Sequence, residues 1–188
     1  MRVTGGRVRG RHLAPLKGLQ IRPSSDLVRQ AIFNLIGQDI LGIKVLDLFA
    51  GTGSLGIEAL SRGAIEALFI DKSIQAIKQI NKNLQRCGFE AAGSIIKKDL
   101  GRGLPRNRAF LKRRFGLVFM DPPYGQALIA PLLKELSDRK MLSPASIVVT
   151  ESSKIDMLPA ELGALQRVNG RTYGETRINI YHYEGTHE

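Results

Sequence analysis

From Lys44 onward, short apolar runs alternate with segments in which apolar residues recur every three or four positions. The runs have the length of buried strands, and the periodic segments have the spacing of helices that bury one face. The runs predict strands at 44–49, 66–71, 94–97, 115–120 and 146–151. The periodic segments predict helices at 54–62, 73–87 and 126–140, with a short helix near 109–113. Such regular alternation favours a mainly parallel sheet with helices on both faces.

One further predicted helix precedes this alternation, and a hairpin follows it. The segment Arg22-Pro-Ser-Ser-Asp26 offers serines that can cap a helix and an acid that suits its N-terminus, and Gly37 is a suitable end. Residues 164–169 and 176–183 predict two antiparallel edge strands, which bring the sheet to seven. We therefore expect an α/β, Rossmann-like fold with a mostly parallel seven-stranded sheet and an antiparallel C-terminal hairpin.

Residues 1–22 contain too few apolar side chains to form a domain of their own. They predict an arm rich in arginine and glycine, with a small hairpin between Val3 and Leu13; a solvated, irregular terminus is the alternative. The length of the chain suits one hydrophobic core. We therefore expect residues 1–188 to form a single domain that carries this N-terminal basic extension.

The chain is strongly basic, with 28 lysines and arginines against 17 acids and a net charge of +11. Two stretches concentrate the positive charge, one from Arg2 to Arg29 and one from Arg102 to Arg114. Clustered cations favour a polyanionic partner, because neutralising phosphates releases their counterions. A nucleic acid is therefore the expected partner, although solubility alone could also account for the charge.

The remaining composition narrows the class of protein. A lone cysteine, Cys87, excludes an internal disulfide and is typical of a reducing compartment. Three scattered histidines give no metal-ligand pattern, no apolar run approaches the length of a membrane span, and the N-terminus has no apolar signal region. We expect a cytoplasmic protein without a metal or a membrane association, and a monomer, since no oligomer pattern stands out.

A glycine-rich loop separates the first predicted strand from the next helix. It reads Asp47-Leu-Phe-Ala-Gly51-Thr-Gly53-Ser-Leu-Gly56 and satisfies G-x-G-x-x-G, a pattern that lets a ligand approach the backbone at a helix N-terminus. Asp71 ends the following strand, where a carboxylate can hold ribose hydroxyls. The carboxylate of Asp47 would attract the ammonium of a methionine moiety, whereas it would repel a pyrophosphate. The loop therefore favours S-adenosylmethionine over a dinucleotide. A purely structural turn is the alternative.

The second motif, Asp121-Pro-Pro-Tyr124, directly follows the predicted strand at 115–120. Its two prolines end the ladder of that strand, because neither has a backbone N–H to donate. The result is a rigid corner with a carboxylate on one side and an aromatic ring on the other, which suits a flat group that carries an amine. Hydride transfer requires no such corner, so this motif also favours S-adenosylmethionine over NAD.

Together these motifs resemble those of class I methyltransferases that modify exocyclic amines of nucleic-acid bases. The wider chain resembles the bacterial RsmD-type 16S ribosomal RNA guanine-N2 methyltransferases. The matching segments are Gly5-Gly6, Gly10-Arg11, Arg22-Pro-Ser, Phe33-Asn, Leu46 to Gly63, Asp121 to Tyr124 and Tyr173-Gly-Glu-Thr176. The resemblance covers nearly the whole chain. It implies transfer of a methyl group from S-adenosylmethionine to N2 of one guanine, guanine 966, in 16S rRNA or the assembling 30S subunit.

The resemblance and the places of the motifs give each candidate residue an expected role. Asp121 and the carbonyl of Pro122 would accept the N–H bonds of the target amine, and Tyr124 would stack on the base. The expected cofactor-binding residues are Asp47, Phe49, Gly51, Gly53, Asp71, Lys72, Asp99 and Leu100. The expected substrate-binding residues are Pro123, Tyr124, Arg2, Arg7, Arg9, Arg11 and Arg22. Asp99 has an alternative role as a helix cap, and Asp71 stands where many relatives carry the longer glutamate.

Three other functions fit parts of the sequence. An adenine-N6 or other amino-methyltransferase is the nearest, because the Asp-Pro-Pro-Tyr corner serves any flat exocyclic amine. A second is a basic module that binds ribosomal RNA without catalysis. A third is an NAD-dependent oxidoreductase, since the glycine loop alone does not exclude a dinucleotide.

Overall fold

The computed structural model describes residues 1–16, 26–37, 40–123 and 127–185. Five α-helices lie within these ranges: α1 Asp26–Leu35, α2 Ser54–Ser61, α3 Ile74–Cys87, α4 Arg108–Leu111 and α5 Ile129–Asp138. The strands are β1 Lys44–Leu48, β2 Glu66–Asp71, β3 Gly93–Lys97, β4 Phe115–Met120, β5 Leu142–Ser153, β6 Glu161–Leu162, β7 Leu165–Tyr173 and β8 Thr176–Tyr183. They form one sheet in the order β3-β2-β1-β4-β5-β8-β7-β6.

The topology confirms the predicted Rossmann-like α/β fold. Strands β3, β2, β1, β4 and β5 run parallel, and β8, β7 and β6 complete the sheet in antiparallel pairs. The sheet has eight strands rather than the predicted seven. The extra strand, β6, pairs only through Glu161 and Leu162, and a two-residue strand is too short to show a hydrophobic period.

Alternation along the strands places a core on each face of the sheet. In β1 and β2, odd-numbered side chains such as Val45 and Phe69 pack in the core with α1, α2 and α3, whereas even-numbered ones such as Leu46 and Leu68 pack with α4 and α5. The predicted placement of helices on both faces is therefore confirmed. Asp47 shares the parity of Val45, so its side chain lies on the face that α2 covers.

Strand β5 begins earlier and ends later than the sequence pattern predicts. Its pairing with β4 jumps from Phe115↔Leu142 to Leu117↔Ile147, and Ala145 within the jump has a φ of 57°. This irregularity interrupts the apolar pattern, so only the part from 146 is visible as a strand from sequence. At its other end β5 continues to Ser153 because it pairs with Thr176 of β8.

The N-terminal arm forms the predicted small hairpin. An isolated antiparallel bridge joins Arg2 to His12, and the N–H of Val3 donates to the carbonyl of Arg11 at 2.9 Å. The side chains of Val3 and Leu13 are buried in the core shared with α1, α2 and α3. The alternative of an irregular, solvated terminus is therefore wrong for these residues.

Polar contacts fix this arm to the C-terminal half of α2. Glu58 is fully buried and accepts both the N–H and the hydroxyl of Thr4, each at 2.8 Å. The hydroxyl of Ser61 donates to the carbonyl of Gly5 at 2.6 Å and accepts the N–H of Val8 at 3.1 Å. The segment Glu58 to Gly63, which carried part of the family resemblance, thus holds the arm in place.

Within the described ranges, no helix is long and apolar enough to cross a membrane. The same residues contain no group of three or more histidine, cysteine or acidic side chains placed to hold a metal ion.

Candidate active site

Strand register brings acidic residues together at the carboxyl edge of the parallel sheet. Leu48 pairs with both Ile70 and Met120, and Met120 pairs with Thr150. The residues that follow these partners therefore form one row across four neighbouring strands, in the order Asp71, Phe49, Asp121 and Glu151. The buried Asp47 precedes Phe49 by two residues and so lies two positions below this row. Open α/β sheets bind ligands at this edge, and an acidic row there suits a cationic ligand.

The glycine loop begins with an unusual backbone conformation at Phe49. Its φ is 60°, a left-handed value that costs a bulky non-glycine residue energy and marks functional sites more often than ordinary loops. Gly51 and Gly53 continue in the left-handed region, with φ values of 54° and 76°. Gly53 directly precedes α2, so the loop delivers the chain to a helix N-terminus.

Asp47 lies beneath this loop and fixes the start of α2. It is 2% exposed, and its Oδ2 accepts the backbone N–H of Gly56 at 2.9 Å. Burial, with a smaller contribution from the charges of Asp71 and Glu151, raises the pKa of Asp47 to about 8, and the Gly56 N–H acts in the opposite direction. A cation bound nearby would favour the ionised carboxylate.

Asp71 joins the loop to the start of α3. Its Oδ2 accepts the N–H of Gly51 at 2.9 Å, and its Oδ1 accepts the N–H of Ser73 at 2.8 Å. Each carboxylate oxygen has a second lone pair, so these bonds leave Asp71 able to accept hydroxyl groups as well. Its partial exposure makes it accessible to a ligand.

The remaining cofactor candidates follow the carboxyl ends of β2 and β3 in the chain. Lys72 follows Asp71 and is exposed. Asp99 caps a 3-10 turn at Leu100–Arg102, because its Oδ1 accepts the N–H of Gly101 at 3.1 Å. Asp99 therefore acts as the cap that the sequence offered as its alternative role. Its side chain is also exposed, so a ligand can still reach it. Leu100 is buried in the core on the face of α4 and α5.

A cleft of about 330 Å³ adjoins the Asp-Pro-Pro corner. This is within the usual range of small-molecule sites, roughly 300–1,000 Å³. Its lining consists of Pro122, Pro123, Ala127, Leu128, Ile129, Ala130, Glu151, Ser152, Asp156, Met157, Leu158 and Pro159. Pro122 is buried and Pro123 exposed, while Asp121 donates its N–H to the carbonyl of Leu48 at 3.5 Å. Tyr124 lies outside the described residues.

The polar lining of this cleft was not predicted from the sequence. Glu151, Ser152 and Asp156 come from the end of β5 and the loop after it. The signal that could have found them is their position at the carboxyl end of a parallel strand. The Tyr173-Gly-Glu-Thr176 turn supports the same loop, because the carbonyl of Glu175 accepts the N–H of Lys154 at 2.9 Å.

The arginines of the arm differ in their surroundings, although all four described ones are exposed. Arg2 lies 3.8 Å from a carboxylate oxygen of Asp26, and the guanidinium of Arg7 lies 4.9 Å from the ring centre of Phe89. The other described candidates are Arg9 and Arg11, and Arg22 lies outside the described residues. The strand pairing of the hairpin sets Arg2 opposite His12 and Arg11 opposite Val3.

Comparison with known proteins places this architecture among bacterial relatives. YlbH of Bacillus subtilis is 37% identical over 98% of this chain and 100% of its own. Ribosomal RNA small subunit methyltransferase D of Haemophilus influenzae is 34% identical over 82% of this chain and 79% of its own. The protein of that name from Escherichia coli K12 is 29% identical over 100% of this chain and 92% of its own.

Solved structures agree with the fold. The Escherichia coli protein yhhF has a TM-score of 0.83 at 29% identity and covers 99% of each chain. An RNA methyltransferase from Salinibacter ruber, in complex with S-adenosyl-L-homocysteine, has a TM-score of 0.65 at 16% identity, covers 88% of this chain and 96% of its own, and supports the fold alone. The family model described as Conserved hypothetical protein 95 matches residues 1–182. The chain therefore belongs to this family, the RsmD family that its glycine loop, Asp-Pro-Pro-Tyr corner and N-terminal arm resemble.

Proposed function

We propose that this protein transfers a methyl group from S-adenosylmethionine to the exocyclic N2 amine of a guanine in 16S ribosomal RNA. The observation that carries the proposal is the row of Asp71, Phe49, Asp121 and Glu151 at the carboxyl edge of the sheet. In this row the glycine loop lies beside the Asp121-Pro122-Pro123 segment, which supports a site that holds the methyl donor next to the target base. The family relatives named as ribosomal RNA methyltransferases supply the substrate class.

The chemistry of the edge fits S-adenosylmethionine better than NAD. S-adenosylmethionine supplies an electrophilic methyl group on a sulfonium, and its amino-acid end adds an ammonium. The charges of Asp71 and Glu151 raise the cost of ionising Asp47, so a cationic ligand relieves this repulsion. A pyrophosphate at the same place would add to it. The complex of the Salinibacter ruber protein with S-adenosyl-L-homocysteine, on the same fold, is consistent with this assignment.

Around the donor, the proposed roles of the residues follow from their places. Asp47 meets the ammonium of the amino-acid end, directly or through a water molecule. The oxygens of Asp71 accept the ribose hydroxyls with their remaining lone pairs, and Gly51 and Gly53 let the ligand lie against the backbone. Phe49, Lys72, Asp99 and Leu100 surround the rest of the ligand.

At the acceptor, Asp121 and the carbonyl of Pro122 take the two N–H bonds of the amine. These two hydrogen bonds orient the amine so that the lone pair of its nitrogen points toward the methyl group. As the new N–C bond forms and the bond between the methyl carbon and sulfur breaks, positive charge develops on the nitrogen, and the carboxylate of Asp121 stabilises it. The methylated amine would then release one N–H proton to solvent, and S-adenosylhomocysteine would be the leaving group. A base within a duplex cannot reach such a corner, so the target base must be unstacked. In this proposal Tyr124 stacks on the face of the base, and Pro123 contacts it at the rim of the cleft.

The lining of the cleft supports guanine over adenine. Among the described lining residues, the acidic side chains are those of Glu151 and Asp156, and an ionised carboxylate accepts hydrogen bonds but donates none. Guanine presents two neighbouring donor groups, N1–H and N2–H₂, whereas adenine presents an acceptor at N1. Carboxylates lining the cleft can accept hydrogen bonds from both donor groups of guanine, whereas they would face the lone pair of adenine N1 without a hydrogen between them.

Methylation of 16S RNA that lacks its native methyl groups tests the proposal. The protein, tritiated S-adenosylmethionine and either the RNA or 30S particles are incubated, and the labelled nucleoside and its position are identified. N2-methylguanosine at one position supports the proposal, and finding it at guanine 966 would match the family target. N6-methyladenosine would favour the adenine alternative, and tight RNA binding without transfer would favour a binding module. Calorimetric titration with NAD and with S-adenosylmethionine tests the oxidoreductase alternative.

A further inference from the structure

A buried amide joins the N-terminal arm to the glycine loop. Asn83 lies on α3 and its side chain is fully buried. Its Oδ1 accepts the N–H of Ala14 at 2.9 Å, while its Nδ2 donates to the carbonyl of Ala14 at 3.2 Å and to the carbonyl of Thr52 at 2.9 Å. Ala14 belongs to the arm, and Thr52 lies between the two loop glycines.

The amide fits these three partners in one orientation only. Both N–H bonds of Nδ2 point at carbonyls, and Oδ1 faces the N–H of Ala14 and, at 3.3 Å, the amide of Gln79. Exchanging oxygen and nitrogen would set donor against donor and acceptor against acceptor. A side chain without these groups would leave buried backbone atoms unpaired, which is costly.

The two ends of this link belong to different parts of the proposed site. On the arm side, Thr4 and Gly5 are fixed to α2, and the exposed Arg9 and Arg11 lie on the same hairpin as Ala14. On the loop side, Thr52 stands between the left-handed Gly51 and Gly53. Any contact that holds the arm in place therefore also holds the carbonyl of Thr52 and the shape of the loop.

We propose that Asn83 is a positioning residue that couples the arm to the cofactor loop, so that RNA on the arm and cofactor in the loop each raise the affinity for the other. This inference rests on the proposed function, because it takes RNA as the ligand of the arm. The coupling is reciprocal, since both affinities change by the same factor. We expect a factor of about five or more, the lower end for coupled sites.

Calorimetry with the full-length protein measures the coupling factor, which is the ratio of the cofactor dissociation constants without and with RNA. The dissociation constant of S-adenosylhomocysteine, which binds without transfer, is determined alone and with saturating unmethylated 16S RNA. In the wild type the RNA tightens binding about fivefold or more. In Asn83→Ala the factor falls to about one. The matched control is Asn81→Ala on the same helix, because the exposed Asn81 donates only to the carbonyl of Ile77; it keeps the wild-type factor.

The results of this experiment separate the coupling through Asn83 from the proposed function itself. A coupling factor near one in the wild type, or an undiminished factor in Asn83→Ala, overturns the inference while RNA and cofactor binding still support the proposed function. Failure of the wild type to bind either ligand instead overturns the proposed function. If Asn83→Ala does not fold, as judged by circular dichroism, Ala14→Pro replaces it. That change removes the N–H that reaches Asn83 from the arm and leaves the carbonyl at position 14 and the Asn83 side chain present, and it too must lower the coupling factor.

Discussion

Oδ2 of Asp47 accepts the backbone N–H of Gly56 at 2.9 Å, in a place that leaves the carboxylate almost without solvent. This burial raises the pKa of Asp47 to about 8, so the unliganded protein carries a neutral acid there at neutral pH. An ammonium brought beside it lowers that pKa. We expect binding of S-adenosylmethionine at pH 7 to release up to one proton, measured by calorimetry in buffers of different ionisation enthalpy.

Asp47→Asn supplies the control for this proton release. The amide keeps an acceptor for the Gly56 N–H but cannot ionise, so the variant should bind without releasing the proton. The interpretation fails if the wild type and the variant release equal numbers of protons.

The same carboxyl predicts how stability changes with pH. In the unfolded chain the pKa of Asp47 has its ordinary value of 3.8, whereas in the fold it is about 8, so the folded state binds more protons between these values. Its contribution to the free energy of unfolding therefore falls as pH rises from about 4 to about 8 and then levels off. Urea unfolding at about pH 5.5 and about pH 8.5 should show a smaller loss of stability in Asp47→Asn than in the wild type. An identical loss would assign the pH dependence to other groups.

Gly56→Ala should destabilise the protein although it lies within a helix. Alanine exceeds glycine in helix propensity by roughly 1 kcal/mol. Against this, a Cβ at Gly56 would overlap the buried ring of Phe69 and lie 3.2 Å from Oδ2 of Asp47. Overpacking of a core costs about 1–3 kcal/mol, so the clash outweighs the propensity. Thermal unfolding of the variant and of the wild type measures the difference. A melting temperature above that of the wild type would show that Phe69 moves aside.

Asp121→Ala should separate binding from transfer. The proposed contact of Asp121 with the target amine strengthens as charge develops, so its removal should slow single-turnover transfer by about 10²–10³-fold. Cofactor affinity should change little, because Asp47 and Asp71 remain. Tritium transfer and calorimetry give the two numbers, and Asp138→Ala, an exposed acid on α5, serves as the control. Near wild-type transfer in Asp121→Ala would remove this residue from the mechanism.

Replacing both Arg9 and Arg11 by glutamine should weaken RNA binding in a salt-dependent way. Removing one cation that neutralises a phosphate reduces the slope of log K against log salt by roughly one. The double variant should therefore show a shallower slope with an unchanged melting temperature, since both side chains are exposed. Glutamine at the exposed Lys134 on α5 and at the exposed Lys140, two residues beyond α5, removes the same charge elsewhere and should leave the slope nearly intact. An unchanged slope in the arm variant would leave the arm a structural role only.

Local patterns in the sequence predicted most of the sheet. The alternation of apolar positions predicted the five parallel strands, the closing hairpin and the helices between them, because the periods of strands and helices are local properties. The glycine loop and the segment from Asp121 to Pro123 were placed correctly at strand ends for the same reason. Strand β6 and the early start of β5 were missed, since two residues carry no period and an irregular pairing interrupts one.

The sequence by itself determined the order of strands and helices, the positions of the two motifs and the excess of positive charge, all of which follow from neighbouring residues. Only the tertiary structure decided how distant residues meet. It turned the basic arm into a docked hairpin held by Glu58, gave Asp47 the Gly56 N–H as a partner, and linked Ala14 to Thr52 through Asn83. The physical reason is that such contacts depend on sheet register and helix packing, which bring together groups far apart in the chain, such as Ala14 and Asn83, 69 residues apart.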